Sequence, residues 1–277
     1  MISSISPQHK KVLITVKSPP YPSKGYRELV CTAGITEEGE WIRLVPMPYR
    51  YLNTNTKFEK YDWIELDAIK HDKDQRYETF RPIDLDKIEI TGSLTKNDKW
   101  RDRKDFLTPY VSQKTLCEKI SEFRKKADAN DQYSADSLFM IKPHEILDIE
   151  TEDDDPKWKP EWQQLFEQET LFEDMKMKPL DKIPFKFFYK FKCCAECSGH
   201  RMKIEDWEIV ELARNYLDDL DLLKTKVIEK YKDWMLTKRE VSFFVGSTLE
   251  HHRRKAKNPY IIIGVFYPPK DSQNSLF

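Results

Sequence analysis

A chain of 277 residues, 39% hydrophobic and 13% aromatic with a formal net charge of −1, can fold around its own core without disulfide support. No apolar run approaches a membrane span and the N-terminus lacks the basic-then-apolar order of an export signal, so a cytoplasmic protein without membrane insertion is expected. Five cysteines, three of them within five residues, do not suit a disulfide framework and fit a reducing compartment.

The first expected strand is Lys11 to Lys17, β-branched and halted by Pro19, Pro20 and Pro22. A second, Glu28 to Ile35, turns through Thr36 to Gly39 into Trp41 to Val45, whose alternation puts Trp41, Arg43 and Val45 on one face and Ile42 and Leu44 on the other. Arg43 would pair with Glu28 or Glu40. Further strands are expected at Tyr61 to Ile69 and Lys87 to Thr91. Together they suggest a small antiparallel β-barrel or curled sheet.

Leu116, Ile120 and Phe123 are spaced as one helix face, with Ser112 as a cap. A short strand is expected at Ser137 to Ile141, an exposed acidic linker around Asp153 to Pro160, and a helix from Glu161 to Phe172. The strand Pro184 to Lys192 leads into the cysteines, helices follow at Ile204 to Leu217 and Leu220 to Leu236, and two apolar strands close the chain at Val241 to Gly246 and Tyr260 to Phe266. The class is therefore α+β, with a β-rich domain over 1–110, a mainly helical connector over 111–180 and an α+β, zinc-knuckle-like unit over 181–277.

The chemistry concentrates in Cys193-Cys194-Ala-Glu-Cys197-Ser-Gly-His200. Thiolates and a neutral imidazole favour tetrahedral zinc, with bonds of about 2.3 Å to sulfur and about 2.0 Å to nitrogen. Cys193 or Cys194, Cys197 and His200 can wrap one ion, and Gly199 permits the turn. A closed structural site needs a fourth ligand, for which His251 or His252 is the expected source. With only three protein ligands, a bound water could react, with His200, Asp206 and Glu208 as catalytic candidates, although carboxylates there also suit a helix N-terminus.

Lys186, Lys190 and Lys192 line one face of their strand while Phe187, Tyr189 and Phe191 face the core, and Arg253, Arg254 and Lys255 form a second basic segment. Both could neutralise phosphates of DNA or RNA, and solvated lysines on an edge strand would look the same. No phosphate-loop, dinucleotide or nucleophile-elbow motif is present.

The segments Lys11-Val-Leu-Ile-Thr-Val-Lys17, Trp41-Ile-Arg-Leu-Val-Pro46, Phe191-x-Cys193-x3-Cys197-x-Gly-His200-x-Met202-x-Ile204-x-Asp206-Trp207-Glu208 and Gly264-Val-Phe-Tyr-Pro-Pro269 resemble a family of uncharacterised bacterial cytosolic proteins. The resemblance spans most of the chain, carries no activity with it, and by association suggests a defence or mobile-element setting. The expected function is nucleic-acid interaction by a protein with structural zinc. The alternatives are a metal-dependent hydrolase or nuclease and a scaffold with protein partners.

Overall fold

The computed structural model describes residues 6–167 and 180–270. The N-terminal part forms β1 (Gln8–Lys17), the small hairpin β2 (Tyr21–Ser23) and β3 (Arg27–Leu29), β4 (Thr32–Thr36), β5 (Trp41–Leu44), β6 (Asp62–Lys70), β7 (Thr79–Pro82) and β8 (Glu89–Ser93). The order β1-β4-β5-β7-β6 closes by pairing β6 with β1, with β8 added outside β6. A five-stranded barrel results, antiparallel except for the β5–β7 pairing. Its interior holds Val12, Ile14, Ile42, Leu44, Ile64 and Leu66.

The expected hairpin is present as β4 and β5, and Gly34 sits where β1 shifts register. A Cβ at Gly34 would lie 2.2 Å from the Leu13 carbonyl oxygen, so only glycine allows this approach. Ile42 and Leu44 face the barrel interior, whereas Trp41 and Arg43 face the C-terminal part. Arg43 does not meet Glu28 or Glu40. It donates to Ser137 Oγ (2.9 Å) and lies 4.0 Å from Glu78, while Glu28 holds Arg50.

After α1 (Asn97–Leu107) comes α2 (Leu116–Asp128), then β9 (Leu138–Ile141), β10 (Glu145–Asp153) and α3 (Pro160–Glu167). The expected continuation of α3 to Phe172 lies outside the described residues. Helix α2 is capped by Thr115 in a capping box with Glu118, so Ser112 stands ahead of the helix and does not cap it. The remaining elements are β11 (Phe185–Lys192), β12 (His200–Lys203), α4 (Trp207–Arg214), α5 (Leu220–Ile228), α6 (Met235–Lys238), β13 (Ser242–Ser247), α7 (Leu249–Arg253) and β14 (Tyr260–Phe266). A π-helical turn over Glu229–Trp234 joins α5 to α6, filling the span expected as one helix.

Two three-stranded sheets build the C-terminal core: β10-β11-β12 and β14-β13-β9. The second is buried on both faces, which explains its uninterrupted apolar strands. Phe243, Val245 and Ile262 point into the core shared with β11 and the helices, while Phe244, Ile263 and Phe266 pack against Val16, Ala33 and Ile35 of the barrel. The segment 145–153, more acidic than a strand usually is, nonetheless pairs along the whole of β11.

Candidate metal centre

Strand β11 delivers Cys193 directly after its last residue. The chain then folds back through a tight turn in which the Cys197 amide donates to the Cys194 carbonyl (3.2 Å) and Gly199 adopts φ +111°. The Gly199 amide donates to Cys197 Sγ (3.3 Å), and His200 opens β12. The backbone therefore presents Cys193, Cys197 and His200 on one side of the turn. Cys194 contributes its carbonyl to that turn, and its thiol is not part of the cluster.

The fourth donor is Cys117, in the first turn of α2. Its Sγ lies 3.5 Å from Cys193 Sγ, 3.7 Å from Cys197 Sγ and 3.4 Å from His200 Nε2, and Cys193 Sγ lies 3.3 Å from the same nitrogen. All four donor atoms fall within 4.8 Å of one another, and this set can hold a metal ion. A tetrahedron with about 2.3 Å bonds to sulfur and about 2.0 Å bonds to nitrogen has edges of roughly 3.5–3.8 Å, close to these separations.

Burial and the neighbouring Cys193 and Cys197 push the Cys117 thiol up to about 12, because packed thiols oppose one another's ionisation when no cation is among them. Burial also raises Cys197, but backbone hydrogen bonds outweigh it and leave that thiol below its ordinary value. Burial lowers His200, favouring the neutral imidazole that binds metals.

The structure supplies the fourth donor from α2 and not from the loop after β13. His252 is fully buried, with Nδ1 3.0 Å from Ser247 Oγ and Nε2 2.7 Å from the Gln132 carbonyl oxygen, so both ring nitrogens are engaged. His251 lies on α7, outside the cluster. The signal for Cys117 was present but unspecific: a cysteine one residue into a capped amphipathic helix, in a chain with an odd cysteine count.

Asp206 and Glu208 do not join His200 in the metal-binding group. Asp206 is buried at the N-cap of α4, where it accepts from the amides of Glu208 (2.8 Å) and Val265 (2.8 Å) and lies 3.7 Å from Lys60 Nζ. Burial raises its carboxyl above the ordinary value and Lys60 opposes that rise. Glu208 sits 3.5 Å from the same ammonium.

The lysine stripe has the expected alternation, with Phe187, Tyr189 and Phe191 buried. Its cations face acids of β10 and the residue after it: Lys186 lies near Glu152 (3.7 Å) and Asp154 (3.4 Å), Lys190 pairs with Glu150, and Lys192 lies 3.8 Å from Glu145. These pairs neutralise much of the stripe. Arg253, Arg254 and Lys255 are exposed, and Lys255 reaches Asn130 just past the end of α2. Arg124 donates to the Lys257 carbonyl (2.9 Å), Lys255 to Asn130 Oδ1 (2.5 Å) and Arg253 to the Lys73 carbonyl (2.5 Å), while Arg254 pairs with Glu250 at 3.0 Å.

The molecule is thus an α+β protein in which a helix and a β-hairpin bring together a Cys3His cluster that can hold a metal ion. Residues 112–277 match the family model described as a domain of unknown function (DUF8757), and residues 8–109 match a second, also a domain of unknown function (DUF8758). The first covers more than half of the chain, and the chain belongs to that family. No curated protein matches it. Among the described residues no helix is long and apolar enough to cross a membrane.

Proposed function

We propose that this protein binds nucleic acid through a basic face formed by the C-terminal half of α2 and the loop after α7, and that a structural zinc ion at Cys117, Cys193, Cys197 and His200 fixes α2 in place. The observation that carries the reading is the Arg124–Lys257 hydrogen bond, which joins segments 133 residues apart. Beside it Lys255 donates to Asn130 Oδ1, and Arg124, Lys125, Arg253, Arg254, Lys255 and Lys257 are all exposed, with Arg254 paired to Glu250. Such a face neutralises backbone phosphates and releases their counterions, which gives affinity without base readout. A chain whose net charge is only −1 must segregate its charges to do this.

Zinc is favoured over other ions because three thiolates and one imidazole in a tetrahedral set suit it best. With four protein donors the ion has no open position, so its role is structural. The thiol-rich site also suits a reducing compartment such as the cytoplasm.

The test is binding of the purified, zinc-loaded protein to labelled duplex DNA, single-stranded DNA and RNA over a series of salt concentrations. At least one should bind with an affinity that falls steeply with salt. No binding to any of them at low salt would overturn the reading.

A further inference from the structure

A recess at the side of the barrel has a chemistry that neither the metal centre nor the basic face uses. It is an open concavity of about 390 Å³, walled by Tyr26 from the β2–β3 turn, Pro46 and Pro48 after β5, Tyr51, and Arg81 and Ile83 at the end of β7. Tyr26 and Ile83, each about 47% exposed, both line this one recess, where they place apolar surface next to a cation. Among the described residues no acidic side chain lines the recess.

Arg81 pairs with Ile69 through its backbone. Arg81 is partly buried, and its guanidinium has no hydrogen-bond or ion-pair partner among the described residues. The turn that carries Tyr51 is held rigidly: buried Glu28 accepts from the Arg50 amide (2.7 Å) and from Arg50 Nε (2.5 Å). The prolines stiffen the opposite wall, so little ordering remains to be done when a ligand enters.

We infer that this recess binds one nucleotide unit, a planar base covered by the tyrosines and prolines with its phosphate on Arg81. A flat apolar wall with one cation beside it selects a ring that carries an anion, and aromatic side chains stack any base. The volume lies at the small end of ligand pockets, roughly 300–1,000 Å³, which suits a single nucleotide better than a longer segment. A proline-rich peptide would fit the walls but leave Arg81 without an anion. The unit can come from a free mononucleotide or from an unpaired nucleotide within a strand. The inference does not depend on the basic face, and separate variants test the two.

The experiment is calorimetric titration of the full-length protein with AMP and, separately, with a short oligothymidylate strand. Wild type is compared with Arg81→Ala, with Tyr26→Ala, and with the combined Arg253→Ala, Arg254→Ala, Lys255→Ala variant, after thermal melting shows each to be folded. At least one probe should bind saturably, roughly tenfold weaker in Arg81→Ala and several-fold weaker in Tyr26→Ala. The site should survive in the combined variant for AMP. AMP binding identifies the free nucleotide as a sufficient ligand, and strand binding alone identifies an unpaired nucleotide in a chain. Failure of both probes to bind, or equal binding by wild type and both pocket variants, would overturn the inference and leave the basic face to be judged on its own variant.

Discussion

Cys117 Sγ and Cys193 Sγ are 3.5 Å apart although 76 residues separate them in sequence. One thiol belongs to the first turn of α2 and the other to the end of β11, so a metal ion held by both would fasten a helix to a sheet edge. Cys117→Ser should therefore lower metal affinity at least tenfold and reduce thermal stability, whereas Cys194→Ser should retain a full equivalent of metal. Elemental analysis after dialysis against a weak chelator checks both. Equal loss in the two variants would restore Cys194 as a ligand.

The same helix carries part of the proposed phosphate-binding face. Replacing Arg253, Arg254 and Lys255 together by alanine should weaken nucleic-acid binding and make the dependence of log K on log salt shallower, by up to about one unit for each phosphate no longer neutralised. Replacing Lys186, Lys190 and Lys192 should change that slope little, because β10 already supplies their counter-charges. Binding isotherms across a salt series separate the two outcomes. A larger effect from the strand lysines would move the interface to β11.

Much of the fold could be read from pattern. The alternation of Phe187, Tyr189 and Phe191, the turn after Thr36 and the apolar strands Ser242–Ser247 and Tyr260–Phe266 all appear as expected. Strand β10 was hidden because Glu145, Asp148, Glu150 and Glu152 read as solvated loop, and the cations on β11, Arg201 on β12 and Lys232 beyond α5 make those acids tolerable in a sheet. Cys197 and His200 were legible from their spacing, which left Cys193 and Cys194 open as the first ligand until the fold chose Cys193. Cys117 was not, since a ligand brought in by tertiary packing leaves no local pattern, and His252 misled because a histidine satisfied in a core looks the same in sequence as one free to bind metal.

Asp206 caps α4 and receives a third contact from the Val265 amide, in addition to Lys60. Asp206→Ala should cost about 2–4 kcal/mol of stability, since it removes a cap and leaves Lys60 with one acidic neighbour fewer. Chemical denaturation measures this. Metal content should be unchanged, and loss of metal without loss of stability would instead tie Asp206 to the metal centre.

His252 gives stability a pH dependence. Burial lowers its pKa from 6.5 to about 4 in the folded chain, so the unfolded chain binds the proton more readily. The contribution is present in full above about pH 6.5 and is lost as pH falls from there through about 4, up to about 3 kcal/mol in all. Comparing denaturation midpoints at pH 7 and pH 4.5 for wild type and His252→Gln isolates this part from proton competition at the metal site. The acid-induced loss should be smaller in the variant, and an equal loss would assign it elsewhere.

The most direct measurement is X-ray absorption spectroscopy at the zinc edge of the purified, full-length protein. Three sulfur scatterers at about 2.3 Å and one nitrogen at about 2.0 Å are expected, with no bound water. A shell dominated by oxygen or nitrogen, or protein that retains no zinc when purified under reducing conditions, would contradict the proposal that Cys117, Cys193, Cys197 and His200 form a closed structural zinc site.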